Sequence, residues 1–162
     1  MNDKRLYFAY GSNINLTQME YRCPDATPLM PVMLHGYELT FRGGGVATVI
    51  PNKDAVVPGL LWSITPECEK SLDFYEGYPH LYGKEPVLVQ GKDGMKREVM
   101  AYTMNAPYKD QPAIPSDLYF MGIVEGCHQN GISSRSVTDA LKRTRQEVGR
   151  QKTSQKKTEV SR

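Results

Sequence analysis

Two groups of residues in this chain have the types and spacing needed to hold a carbonyl substrate and move its protons. Tyr10-Gly11-Ser12-Asn13 closes an apolar, aromatic-rich run at residues 6–10. A glycine after a buried strand permits a sharp backbone turn, so successive peptide N–H groups can converge on an anion or a developing oxyanion, with Ser12 and Asn13 as further polar groups. The same composition also makes an ordinary turn, and alone the tetrapeptide does not choose between the two. The second group centres on Glu76. Thr65-Pro66 starts a helix, with a capping hydroxyl and a proline at the first helical position, and Gly77 stops it. Cys68, Leu72, Tyr75 and Glu76 are then spaced by threes and fours and share the apolar face. Burial and the negative end of the helix dipole would both raise the pKa of a carboxyl placed there, which suits general acid/base work near neutral pH. An exposed last-turn glutamate before a glycine stop fits the pattern equally well. Glu67, Glu69 and Asp73 lie on the other face or in the first turn and have no comparable claim.

Other chemistries find less support. A serine hydrolase needs a Gly-x-Ser-x-Gly elbow and a histidine base; the elbow is missing, and His35, His80 and His128 have no diagnostic neighbours. Cys127 and His128 are adjacent on a helix and diverge, which describes a packed cysteine beside a surface histidine rather than a metal site. Gly43-Gly44-Gly45 lacks the Gly-Lys-Ser/Thr of a phosphate loop and leads into a strand, so it reads as a flexible turn. Cys23, Cys68 and Cys127 are odd in number and far apart, against both a disulfide framework and structural zinc. Three free thiols fit a reducing compartment, and the expected location is the cytoplasm. Trp62, Tyr75, Tyr82 and Tyr119 read first as core aromatics, each buried hydroxyl needing a partner.

The elements that must position these residues follow from periodicity. Residues 6–10, 34–41, 46–50, 56–64, 86–90 and 97–104 are β-rich and separated by Gly, Pro, Asn and Asp turns. Helices are expected from an Asn15 cap to about Tyr21, over residues 65–77, from a Ser116 cap to Gln129 with an Asn130-Gly131 stop, and from Ser134 to about Val148. Local strand connections and short helices without βαβ alternation indicate an α+β domain whose sheet curls or closes as a small mixed β-barrel. The chain of 162 residues, 40% hydrophobic and 23% charged, is expected to form one such domain over residues 1–149. No stretch of about 18 apolar residues and no leader-like start is present, so no membrane partner is expected. The formal net charge of +2 is unevenly distributed, residues 142–162 holding eight Lys or Arg against Glu147 and Glu159. That tail has no aromatics for base stacking, so residues 150–162 are expected to be disordered and no nucleic-acid partner is expected.

Taken together, Tyr10-Gly11-Ser12-Asn13 after an N-terminal strand, Pro58-Gly59-Leu60-Leu61-Trp62, Leu72-Asp73-Phe74-Tyr75-Glu76-Gly77, Tyr82 and Pro115-Ser116-Asp117-Leu118-Tyr119 resemble the γ-glutamylcyclotransferase family in order and spacing. The likeness covers roughly residues 6–141, with Ile14 where leucine is usual. It implies a small barrel flanked by helices and a γ-glutamyl group held by residues 10–13. It also implies that Glu76 is the acid/base and that Tyr82 and Tyr119 line the cavity. The partner so implied is a small-molecule γ-glutamyl substrate, cyclised to 5-oxoproline without a cofactor. Family members acting on glutathione or γ-glutamylamines carry leucine where Asn13 stands, which leans this chain toward γ-glutamyl amino acids. A γ-glutamyl group on a larger carrier and the oligomeric state stay open. The competing expectation is a non-catalytic binding module on the same fold; Glu76 and the complete loop favour the enzyme.

Overall fold

The computed structural model describes residues 3–160, with side chains to residue 156. Met1, Asn2, Ser161 and Arg162, at the two termini, lie outside the described residues. Five strands close into a barrel: β1 (Arg5–Ala9), β2 (Thr27–Arg42), β3 (Val46–Ile64), β4 (Tyr82–Gln90) and β5 (Lys96–Met104). Their order around the barrel is β1-β3-β2-β4-β5, and a parallel bridge, Tyr7 to Met100, joins the last strand to the first. The remaining pairings are antiparallel, so the expected α+β barrel is the fold observed.

Two strands are longer than their sequence suggests. The breaks expected around Pro51-Asn52-Lys53-Asp54 and ahead of Leu34 are absent, and β2 pairs with β3 along nearly their full lengths. Turn chemistry survives there as a local irregularity. The register jumps from His35↔Val56 to Tyr37↔Pro51, and Asn52 Oδ1 accepts from the Asp54 amide at 3.0 Å. A short Asx turn is thus absorbed as a bulge, because ladder pairing on both sides outweighs a preference local to four residues.

The helix starts fall where their capping residues stand. The Asn15 side chain accepts from Gln18 N to start α1 (Leu16–Arg22), Thr65 from Cys68 N to start α2 (Pro66–Glu76), and Ser116 from Tyr119 N to start α3 (Asp117–Gln129). Gly77 ends α2 at φ 65°, a left-handed conformation that glycine adopts without steric cost. The last helix, α4 (Arg135–Val160), differs from expectation. Val137, Ala140 and Thr144 are buried, and α4 packs on β2. The last two residues of the 150–162 segment expected to be disordered lie outside the described residues; instead of fading near Val148, the helix continues through the rest of that segment to Val160. Gln, Lys, Thr and Glu there do not oppose helix, but residues 149–156 are exposed and bury nothing.

The core fills the barrel and the seam beneath the helices. Phe8, Leu34, Leu39, Phe41, Val57, Leu61, Ile64 and Val89 are almost wholly buried, with Leu72 from α2 and Ile123 from α3. No helix among the described residues is long and apolar enough to cross a membrane.

Candidate active site

The chain leaves β1 through Tyr10 and Gly11 and enters a single 3-10 turn at Ser12–Ile14, whose residues are all buried. Gly11 has φ −115°, so its backbone is not in the left-handed region; glycine is needed there for room. An added Cβ would stand 3.1 Å from Ala47 Cβ and 3.5 Å from the Tyr119 hydroxyl. Ile14 N and Asn15 N make the first bonds of the turn, to Gly11 O and Ser12 O at 3.1 Å each. The amides of Ser12 and Asn13 stand ahead of them in the first turn, where helical geometry provides no carbonyl partner. Trp62 Nε1 donates to Asn13 O at 3.0 Å and pins the loop from the barrel side.

Helix α2 delivers Glu76 to this loop. Asn13 Nδ2 donates to Glu76 Oε1 at 3.1 Å and to the Tyr7 hydroxyl at 2.9 Å. Residues 10–13 and Glu76 border one cavity of about 200 Å³, together with Tyr7, Val46, Ala47, Tyr75, Leu81, Tyr82, Tyr102 and Tyr119. Loop, carboxylate, Tyr82 and Tyr119, drawn from four separate places in the chain, are therefore brought together at one site. Burial raises the Glu76 carboxyl from its ordinary 4.5 to about 7, against the opposing pull of the Arg22 charge and the Asn13 hydrogen bond.

The sequence model of the family described as "Gamma-glutamyl cyclotransferase, AIG2-like" matches residues 7–120. The chain belongs to the γ-glutamylcyclotransferase family. Gamma-glutamylcyclotransferases of Bos taurus and Homo sapiens are each 30% identical to it over 138 residues, 78% of this chain and 72% of theirs. A solved structure of a gamma-glutamyl cyclotransferase superposes with TM-score 0.76 at 27% identity, covering 85% of this chain and 86% of that one. Family membership makes this an enzyme of the γ-glutamylcyclotransferase type.

In this cyclotransferase, the tyrosines form a shell with defined proton directions. The Tyr119 hydroxyl oxygen accepts from the Ala47 amide at 3.0 Å, and the Tyr82 hydroxyl donates to Ala47 O, so the two bracket a single residue of β3. The Tyr10 hydroxyl donates to Tyr102 O. Tyr7 accepts from Asn13, which leaves its own proton to give, as Tyr119 has. Burial is the largest cause raising the pKa of Tyr7, Tyr10, Tyr82, Tyr102 and Tyr119 alike, so these hydroxyls stay protonated around neutrality. Glu76, in contrast to these five phenols, is brought to the neutral range.

Several supporting residues carried no readable signal in the sequence. Tyr7 reads as one more residue of a buried strand, and Tyr75, expected in the core, is 43% exposed at the cavity. Asp73 and Glu69, which the helical pattern left without a role, both bind Lys84 Nζ, at 2.9 Å and 2.6 Å; Asp73 also accepts from the Tyr102 hydroxyl at 2.6 Å. They tie α2 to β4 and β5 and so fix where its C-terminal residue, Glu76, falls. Arg22 comes from α1 and donates to Asn13 Oδ1 at 2.6 Å. Helical spacing pairs residues 69 and 73, but no one-dimensional spacing links them to residues 22, 84 and 102, whose proximity is made by the tertiary fold.

Proposed function

We propose that the chain cyclises a γ-glutamyl amide to 5-oxoproline and releases the free amine, with Glu76 carrying the proton and residues 10–13 holding the γ-glutamyl group. The observation behind this reading is the placement of a carboxyl with pKa about 7 across one small cavity from a turn whose leading amides face no carbonyl of that turn. Such a substrate carries its own nucleophile. Its α-amine lies within five-membered-ring distance of the γ-carbonyl, and intramolecular attack exploits effective molarities of about 10⁵ M or more once the chain is folded. The protein then has three tasks: to bend the substrate, to move protons and to stabilise the oxyanion.

In the proposed sequence, ionised Glu76 takes a proton from the α-ammonium. The freed amine attacks the γ-carbonyl, and the oxygen that gains charge is met by the amides of Ser12 and Asn13 and by the free protons of Tyr7 and Tyr119. Protonated Glu76 returns its proton to the departing nitrogen as the C–N bond to it breaks, and the carboxylate so regenerated takes the second proton of the attacking nitrogen and hands it to the released amine, which leaves as the ammonium. A pKa near neutrality suits a group that must first accept and then donate. The reaction so written uses no cofactor. Asn13 in the loop, rather than leucine, supports γ-glutamyl amino acids as the substrate class. Three free, buried thiols suit a reducing compartment, and we place the reaction in the cytoplasm.

The test is 5-oxoproline release from a panel of γ-glutamyl amino acids, glutathione and γ-glutamylamines. Glu76→Gln keeps the shape and removes the basicity, and it should lower turnover by about 10² to 10⁴ while thermal unfolding shows a folded protein. Near-normal turnover by that variant would remove Glu76 from the role.

A further inference from the structure

Arg22, at the end of α1, reaches the site through Asn13. Its Nη1 donates to Asn13 Oδ1 at 2.6 Å and to Ser12 Oγ at 3.3 Å. Its Nη2 donates to Gln18 Oε1 at 2.9 Å and to the Tyr75 hydroxyl at 2.7 Å, and the guanidinium lies 3.6 Å from the Tyr75 ring centre. The arginine is therefore held by both α1 and α2 while it grips the loop between them.

We propose that Arg22 is a positioning residue for Glu76: its guanidinium locks the Asn13 carboxamide in the one orientation that aims an N–H at the carboxylate. A carboxamide turned by half a rotation exchanges its acceptor oxygen for its donor nitrogen. In the observed orientation Oδ1 faces Arg22, which can only donate, and Nδ2 serves Glu76 Oε1 and the Tyr7 hydroxyl. The reversed orientation would set Oδ1 against an ionised carboxylate and NH₂ against a guanidinium, and both contacts would repel. The tyrosine can accept or donate and favours neither orientation. The bond from Asn13 holds one carboxylate oxygen and leaves the other to the substrate.

The surroundings of Glu76 support the same assignment. Around it stand Tyr7 from β1 and Tyr10 just after it, Tyr82 from β4, Tyr102 from β5, Tyr119 from α3 and Tyr75 from its own helix, all bordering the cavity. The first five are held protonated by burial. Asp73 and Lys84 pair with each other on the neighbouring turn of α2 and on β4. Arg22 supplies the positive field that opposes the burial of the carboxylate.

The inference rests on Glu76 as proton carrier, and the experiment separates the two. Steady-state kcat and KM, with full pH profiles, are measured on full-length wild type, Arg22→Met, Arg22→Lys, Asn13→Ala and the Arg22→Met/Asn13→Ala double variant, following 5-oxoproline from whichever γ-glutamyl compound of the panel is turned over best. Arg22→Met should lower kcat by about tenfold or more with a smaller change in KM, and should move the acid limb of the profile to higher pH. Arg22→Lys should restore part of the limb position by returning the charge. In the Asn13→Ala background the further loss of kcat from Arg22→Met should shrink to about twofold, because the amide it orients is gone. An Arg22→Met enzyme with normal kcat and an unmoved limb overturns the proposal, and so does a loss that is fully additive with Asn13→Ala. Should Arg22→Met unfold, the cycle of Arg22→Lys with Asn13→Ala applies the same additivity criterion. An inactive Glu76→Gln beside a normal Arg22→Met defeats this inference alone, whereas an active Glu76→Gln defeats the reading beneath it.

Discussion

Glu76 is held in tension between burial and two favourable contacts, and burial dominates. Its carboxyl rises from 4.5 to about 7 although Arg22 and Asn13 pull the other way. A raised carboxyl makes the fold weaker, not stronger, at high pH. Below about 4.5 the group is neutral in both folded and unfolded chains and exacts no penalty; between about 4.5 and 7 only the folded chain keeps the proton; above about 7 the folded chain bears the full cost of a buried charge. That cost is at most roughly 3.5 kcal/mol, since each pKa unit is worth about 1.4 kcal/mol. Glu76→Gln should accordingly melt above wild type at about pH 8, with the difference shrinking toward about pH 5. An equal difference at both pH values, read by thermal unfolding, would mean that the carboxylate is well solvated.

Among the elements, the site is a meeting of ends: the exit of β1, the C-terminus of α2, the N-terminus of α3 and the start of β3. Such a site depends on close backbone approach. A Cβ on Gly126 of α3 would fall 2.6 Å from the Asn15 amide, so the helix lies directly against the loop that follows Asn13. At Gly11 the limiting contact is with β3, where Ala47 is bracketed by Tyr82 and Tyr119. Gly11→Val should push the loop from this wall and into the cavity. We expect no detectable 5-oxoproline formation and weakened 5-oxoproline binding by calorimetry, with a stability loss of about 1–3 kcal/mol from overpacking. Ser12→Ala, which keeps the backbone path, should cost far less; the reverse ranking would shift the binding role from amides to the hydroxyl.

For the protein as a whole, barrel closure brings distant segments together, and α4 braces its outside. Arg143 Nη2 donates to Leu39 O at 3.0 Å, and Arg42 pairs with Glu147 at 2.9 Å, so α4 is anchored to β2 through residue 147. From residue 149 to residue 156 the helix is exposed and has no face against the barrel. Truncation after Gly149 should leave melting temperature and cyclotransferase activity unchanged. A fall in either would show that the basic extension docks on the body.

What could be read from the chain alone was local. Thr65, Ser116 and Asn15 cap helices because a side-chain oxygen and an amide three residues on lie within reach in any context, and Gly77 stops α2 for the same kind of reason. Glu76 shared its face with Leu72 by helical period, but the pattern could not tell a cavity from solvent; that depended on what packed opposite. Turn residues at 51–54 misled, since cross-strand pairing overrode them. The reach of Arg22 to Asn13, the tie of Asp73 to Tyr102 and the bracketing of Ala47 belong only to the closed barrel. The last two join segments tens of residues apart, and even the nine-residue reach of Arg22 is completed by Tyr75 of α2; the free energy that fixes them comes from burying the whole core, which no window of sequence contains.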